Sequence, residues 1–575
     1  MVKLFRFLKP YRWQIFVVLV LVFLQTLGDL YLPTLTSDII NEGVMAGDVA
    51  TIWDIGKIML LVAGLSAILS IASSYFSAKI AMGFGTVLRN KIFERVESFS
   101  LREFDEFGTA TLITRTTNDI NQVQMVTIMI FRMMVSAPMM AIGGLTLAYS
   151  KNANLTGVLG VAILVLGLTI AVLARKVIPL FKLVQGKVDK INLVLREKLT
   201  GIRVIRAFDT VERENKRFDD VNNDLTNNYI TVNRIMAFMM PSIMLIMNIT
   251  SLSILWFAAI KINVGTMDLG DLSAFTQYTM QIMMSMLMLS MMFIMVPRAH
   301  AAAIRIDEVI VTEPSVVNPE IIQKEFSVTS TLEFQNVAFS YPGAEESVLE
   351  QISFQAKPDK VTAIIGSTGS GKSTIVNLIP RFYDITQGNI LIDGVDIKEI
   401  SLETLRDKIG FVPQKSVLFS GSIADNIRFG SKDAPMEEVI EAAKVAEAYE
   451  FIENMEEGFD HYISQGGTNV SGGQKQRLAI ARAILKKPEI YVFDDSFSAL
   501  DFKTDAKVRK SIKNKLNDAT VIIVAQRVGT IMDADQIIVL EEGKIQGIGT
   551  HHELLNSCEV YKEIVSSQLT KEDMK

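Results

Sequence analysis

The chain has 575 residues, of which 49% are hydrophobic and only 21% charged, with a formal net charge of -6. A soluble chain of this size carries more charge, so the balance points to a membrane, and the acidic excess argues against nucleic acid as the main partner. A single cysteine, Cys558, excludes a disulfide framework or a cysteine-based metal site, and His300, His461, His551 and His552 leave little for histidine-centred chemistry.

Charge-free runs at residues 13–28, 58–78, 133–150, 152–174, 235–260 and 272–297 predict six membrane-spanning helices, because about 20 apolar residues cross a bilayer. The first run reaches that length only by continuing past Asp29 to residue 35. Basic residues precede it without a small-residue cleavage site after it, which reads as a retained first span. Little more than Lys151 separates the third run from the fourth. The first loop is acidic, with Asp38, Glu42, Asp48 and Asp54. Residues 79–126 carry Lys79, Arg89, Lys91, Arg95, Arg102 and Arg115, and residues 175–234 are denser still in Lys and Arg. The positive-inside rule therefore places both termini and both long loops in the cytoplasm. Ile191, Leu195, Leu199 and Ile202 continue a helical period, which predicts helices running beyond the bilayer.

The fifth and sixth runs hold Met236, Met239, Met240, Met244 and Met247, then Met280, Met283, Met284, Met286, Met288, Met291, Met292 and Met295. Methionine walls repack around differently shaped apolar ligands, although a single methionine more often faces lipid or a neighbouring helix. Asp29 is a second candidate, as an acid inside a span or at its interface.

Composition changes after Pro297, and a stretch with Pro314 and Pro319 leads into alternating strands and helices. The expected division is a membrane domain at 1–310, a linker at 311–330 with the boundary near residue 325, and a second domain at 331–575. The run 361–365 reads as a buried strand, and Gly366, Ser367, Thr368, Gly369, Ser370, Gly371, Lys372 and Ser373 follow it. They fit G-x-x-x-x-G-K-[ST] in its strand, loop, helix context. Glycines let backbone N–H groups close on phosphate oxygens, Lys372 reaches the β and γ phosphates, and Ser373 offers a hydroxyl to Mg²⁺. A second buried strand, 490–493, ends in Asp494 and Asp495, which puts a carboxylate opposite the Mg²⁺ position. Between them, Val470, Ser471, Gly472, Gly473 and Gln474 open a helix, and a Gly-rich helix N-terminus is an anion site. Two anion sites on one chain suggest that two chains share each nucleotide.

Taken together, these features resemble a half-transporter of the ABC exporter family over nearly the whole chain. Residues 470–474 are similar to the family signature LSGGQ, with Val for Leu. The resemblance implies an α-helical six-span transmembrane domain fused to an α/β P-loop nucleotide-binding domain, with ATP and Mg²⁺ as cofactors. By the same resemblance Tyr341 stacks on adenine, Thr374 joins the phosphate-loop set, Gln414 is the Q-loop ligand of Mg²⁺ beside Ser373 and Asp494, and 498–501 is the D-loop. Glu197 with 201–208 resembles the second cytoplasmic loop of exporters, and 301–310 the link after the sixth span. Bends at 107–116 and 208–214 would dock on nucleotide-binding domains and transmit their closure.

Two positions depart from the family pattern within one catalytic site. Asp495 stands where the family has Glu, and Gln526, after the strand 521–525, stands where it has His. A shift of about 1 Å can cost about a hundredfold in rate, and glutamine is neither a cation nor a proton carrier. Gln465 also replaces the usual Glu ahead of the signature. The expectation is the degenerate-site subunit of a heterodimeric bacterial multidrug exporter in the cytoplasmic membrane. It would hold ATP and split it poorly, while Ser471, Gly472, Gly473 and Gln474 complete the partner's hydrolytic site. Its partners would be a homologous half-transporter, the lipid bilayer and hydrophobic small molecules, with no nucleic acid. The competing readings are a lipid or peptide exporter of the same fold and a non-transporting ATP-gated channel or sensor.

Overall fold

A computed structural model of the chain describes residues 1–319, 330–516 and 518–568, without the side chains of residues 2, 174, 182, 293 and 294. Residues 320–329 of the expected linker, and with them the boundary expected near 325, lie outside the described residues. The chain divides into two compact units, Met1–Glu97 with Ala110–Thr312, and Ser98–Thr109 with Glu313–Lys575.

The first unit holds six helices long and apolar enough to cross a membrane: Lys3–Val44, Val49–Ser98, Thr109–Lys151, Ala153–Thr200, Val211–Asn263 and Leu269–Val311. They are 42 to 53 residues long. At 1.5 Å per residue this is about twice the roughly 30 Å of a hydrocarbon layer, so each helix continues well past its apolar run. The turn between spans three and four is a single residue. Asn152 adopts an extended conformation, and its side chain accepts from Leu155 N at 3.2 Å, capping the fourth helix as the third ends.

Spans three and six pack along their length, span one lies against both, and spans four and five form a second pair. Span two buries only the face from Ser66 to Ile92, leaving Leu60, Leu61 and Ile68 exposed, an apolar surface this unit does not itself cover. The methionines divide between the two environments. Met283 is fully buried beside Tyr278 and Ile282, whereas Met240, Met244, Met280, Met284 and Met291 are exposed.

Polar contacts fasten spans one, three and six at both ends. At one end Lys151 pairs with Asp271 at 2.8 Å, Ser37 Oγ donates to the same carboxylate at 2.9 Å, and Gly270 N donates to Asn41 Oδ1 at 2.7 Å. At the other end Arg305 grips Asp119 with two bonds of 2.8 and 2.6 Å, and Arg115 pairs with Glu308 at 2.7 Å. Gly270 is needed for this closure, because a Cβ there would lie 2.2 Å from the Ser37 carbonyl oxygen. A backbone oxygen cannot swing aside, so Gly270→Ala should lower the thermal midpoint of the purified protein, with a destabilisation of about 1–3 kcal/mol. Gly56→Ala, with nothing within 4 Å of the added methyl, is the matched control and should leave the midpoint unchanged or higher.

Among its described residues the second unit has twelve strands: β1 (Leu332–Phe339), β2 (Leu349–Ala356), β3 (Val361–Gly366), β4 (Gln387–Ile392), β5 (Val395–Asp396), β6 (Ile409–Val412), β7 (Gly421–Ser422), β8 (Tyr462–Ile463), β9 (Ile490–Asp494), β10 (Thr520–Val524), β11 (Gln536–Glu541) and β12 (Lys544–Gly549). The main sheet runs β12-β11-β3-β10-β9-β6, parallel except for β12. An antiparallel sheet runs β2-β1-β4-β5, and β7 pairs with β8. The main strands are continuous apolar runs because both faces are covered. Ala363, Ile365, Tyr491, Phe493, Val521 and Ile523 enter one core, while the alternating Ile364, Ile490, Val492, Ile522 and Val524 enter the other. This arrangement brings the ends of β3, β9 and β10 side by side, where ligands of open α/β sheets bind.

Ser98–Thr109 belongs to this second unit, and the bend expected at 107–116 straddles its boundary with the first. Its helix, Leu101–Phe107, is closed by a capping box of Ser100 and Glu103. Glu103 Oε1 also accepts from Ser315 N at 3.2 Å, and Asp105 accepts from the Tyr383 hydroxyl at 2.9 Å. These acceptors lie ahead of the bend at 107–116.

Candidate nucleotide site

β3 ends at Gly366, where any Cβ would lie 2.0 Å from the Leu540 carbonyl oxygen. The loop then turns through Gly369 and Gly371 at φ of 86° and 97°, a region that costs side chains strain. Ser367, Thr368 and Gly369 form its exposed rim, and Ser370 is buried, its carbonyl accepting from Gly543 N at 3.3 Å. Lys372 begins the helix Lys372–Leu378 and is buried. Its Nζ donates back to the carbonyls of Gly366 at 2.9 Å and Ser367 at 2.6 Å, closing the loop into a ring of backbone N–H groups. Thr374 Oγ1 meets the Tyr341 hydroxyl at 3.2 Å, and the Tyr341 ring stands edge-on to Phe339 and Tyr383 at 4.9 and 5.4 Å. Tyr341 is thereby held beside the loop helix.

Ser373 Oγ donates to Asp494 Oδ1 at 3.2 Å, joining the loop to the end of β9. Burial pushes the Asp494 carboxyl up, the Ser373 bond opposes this, and the neighbouring Asp495 charge adds to the rise. Burial likewise depresses the Lys372 amine, against the pull of Asp495 and Asp494. Among the described residues no group of three or more His, Cys, Asp or Glu side chains could hold a metal ion. The hard oxygen pair Ser373 and Asp494 nevertheless fits Mg²⁺, which takes one or two protein oxygens and completes its shell with phosphate and water.

Asp495 adopts φ 46° and is buried. Its Oδ2 accepts two amide donors, Gln414 Nε2 at 3.2 Å and Gln526 Nε2 at 3.1 Å. Burial raises this carboxyl, with the Gln414 bond in opposition. Gln414, Asp495 and Gln526 thus form one cluster on a single carboxylate oxygen. Ser471 caps the helix Gly472–Leu485 by accepting from Gln474 N at 3.3 Å, while Gln474 Oε1 accepts from Ser471 N at 2.9 Å. Gly473 lies against the Ala499 carbonyl, and Ala499 N donates to Gln476 Oε1 at 3.3 Å. Among the described residues no hydrogen bond joins 471–474 to the loop 366–374.

Four contributors escaped the sequence reading. Leu540 and Gly543 back the phosphate loop, Tyr383 supports Tyr341, and Gln476 ties the signature helix to the 498–501 segment. Their neighbours are far along the chain, and no local pattern marks them.

Two family models match the chain: the ABC transporter transmembrane region over residues 15–286, and the ABC transporter domain over residues 349–498. An uncharacterized ABC transporter ATP-binding protein of Mycobacterium tuberculosis is 42% identical over 98% of this chain and 97% of its own length. The uncharacterized ABC transporter ATP-binding protein YfiB of Bacillus subtilis is 38% identical over 100% of this chain and 99% of its own. The putative multidrug export ATP-binding/permease protein YgaD of Bacillus subtilis is 30% identical, with 99% of each chain covered. A solved bacterial Atm1-family ABC exporter with ATP bound superposes with a TM-score of 0.81 over 98% of this chain and 99% of that one, at 24% identity, and so shares the fold.

Proposed function

Because this chain belongs to the ABC transporter family and has the build of an exporter half-transporter, we propose that it exports hydrophobic and amphipathic compounds as one subunit of a heterodimer whose other subunit supplies most of the hydrolysis. The observation that carries this reading is the double amide clamp on Asp495. A carboxylate that activates water needs a free, basic oxygen aimed at it. Here one oxygen of a shortened side chain already serves two donors, and Gln526 cannot become a cation.

The binding machinery is intact by contrast. The ring of N–H groups from Gly366 to Thr374 takes phosphate oxygens, Lys372 turns from its own loop carbonyls toward them, and Tyr341 offers a face to the base. Ser373, Asp494 and Gln414 would hold Mg²⁺, which when bound offsets charge on the β and γ phosphates. Ser471, Gly472, Gly473 and Gln474 would close the partner's site. The membrane domain is placed at 1–310, the linker at 311–330 and the nucleotide-binding domain at 331–575, with both termini in the cytoplasm; the basic stretches between spans support that orientation. The relative whose name includes multidrug export supports the substrate class.

The deciding experiment is to tag this chain in its native membrane, extract it gently and identify by mass spectrometry what co-purifies in equal amount. The expected result is a homologous half-transporter with Glu and His at the positions of Asp495 and Gln526. Recovery of this chain alone would overturn the heterodimer. ATP binding without dye accumulation in inside-out vesicles would instead favour a sensor.

A further inference from the structure

Span one carries an acid without a counter-ion. Asp29 lies nine residues before Asp38, the last residue of the helix Arg12–Asp38, which places it about 13 Å along the axis from that end. No Lys, Arg or His pairs with it among the described residues. Gln25 Nε2 approaches its Oδ2 only at 3.5 Å, and Ser66 of span two lies beside it. From span six, Gln281 Nε2 donates to the Asp29 backbone oxygen at 2.9 Å, while Gln281 Oε1 is buried with no hydrogen-bond partner among the described residues. The cluster therefore has a surplus of acceptors, a carboxylate and an amide oxygen, in a setting where an unmet polar group is costly.

Beside it is a cavity of about 930 Å³ between spans one, two and three, walled by Leu24, Leu27, Tyr31, Val62, Leu65 and Ser66. Ser66 and the two chain neighbours of Asp29, Gly28 and Leu30, line the cavity, so the acid stands at its edge. Its volume suits a drug-sized ligand. An apolar wall next to surplus acceptors matches an apolar body bearing a strong donor.

We propose that this is a binding site for amphipathic amines in their protonated form, the ammonium group bonding Asp29 and Gln281 Oε1 and the apolar body filling the cavity. The inference rests on the reading that the chain exports hydrophobic compounds, and it narrows that class. Asp29 acts here as a specificity residue, since the charge of the ligand and not its apolar part decides whether the acid is satisfied.

The test uses dansylcadaverine, a fluorescent primary amine, and its neutral N-acetyl derivative, with the intact complex purified with its native partner. Binding is read from dansyl emission in detergent without ATP, and transport from ATP-dependent accumulation in inside-out proteoliposomes. Asp29→Asn should weaken binding and uptake of the amine by about tenfold or more, the scale of a lost charge-assisted hydrogen bond, and leave the acetylated compound unaffected. Asp29→Glu should retain most of the amine affinity. Equal losses for both compounds would assign Asp29 a structural role, such as an ion pair with the partner subunit, and overturn the site. Unchanged amine binding in Asp29→Asn would overturn it as well. Asp29-dependent binding without accumulation of either compound would uphold the site while removing the exporter reading beneath it.

Discussion

Ser471→Ala, made in the intact complex, should lower ATP turnover far more than Lys372→Ala. On the proposed heterodimer reading the two residues belong to different composite sites. Lys372 serves the chain's own phosphate loop, next to the clamped Asp495, where little hydrolysis is expected. Ser471 sits at the exposed N-terminus of Gly472–Leu485 with no hydrogen bond to that loop, and is free to meet a nucleotide held by the partner. On that reading, loss of its hydroxyl would remove a donor to the partner-held phosphate, an effect on the order of 10²–10³ in rate. The same change removes the helix cap, worth about 1 kcal/mol. Ser471→Thr keeps the capping oxygen and separates the two effects, since a cap loss alone would be rescued by it. Steady-state ATP hydrolysis by the co-purified complex is the measurement. The reverse order of sensitivity would mean that the competent and slow sites have been exchanged.

Asp495→Glu alone should leave this chain's own site slow, and the pair Asp495→Glu with Gln526→His should speed it by about a hundredfold or more. The longer side chain restores reach, but Gln526 still donates an amide to residue 495 and still cannot carry charge. The backbone at 495 adds a cost, because φ 46° suits aspartate better than glutamate. Single-turnover hydrolysis in a complex whose partner site has been silenced isolates the effect. Full turnover in the single variant would show that reach alone limits the site and that Gln526 is neutral to it.

The readable and unreadable parts of this site differ in how far apart their residues lie. The phosphate loop is eight consecutive residues after an apolar strand, so its position, its glycines and its lysine follow from spacing alone. Asp494 is readable for the same reason, as the polar end of a buried run. The clamp is different. Gln414 and Gln526 lie 81 and 31 residues from Asp495, and only the parallel pairing of β9 with β10 and β6 brings their side chains to one oxygen. The docking segment shows the same limit, because Ser98–Thr109 is tied by Ser315 and Tyr383 and not by its own bend.

What the sequence by itself determined is the list of elements: six spans, a tight turn just after Lys151, a phosphate loop, a Gly-rich start to the signature helix and buried strands. These are consequences of local physics, since backbone groups in lipid must pair within a helix and unbroken apolar runs must be covered on every side. Tertiary structure alone decided how charges and donors are shared. Lys151 neutralises Asp271, Arg305 neutralises Asp119, and Asp29 is left without a basic partner among the described residues. Partner choice of this kind depends on which helices pack together and at what register, and no run of consecutive residues contains that information.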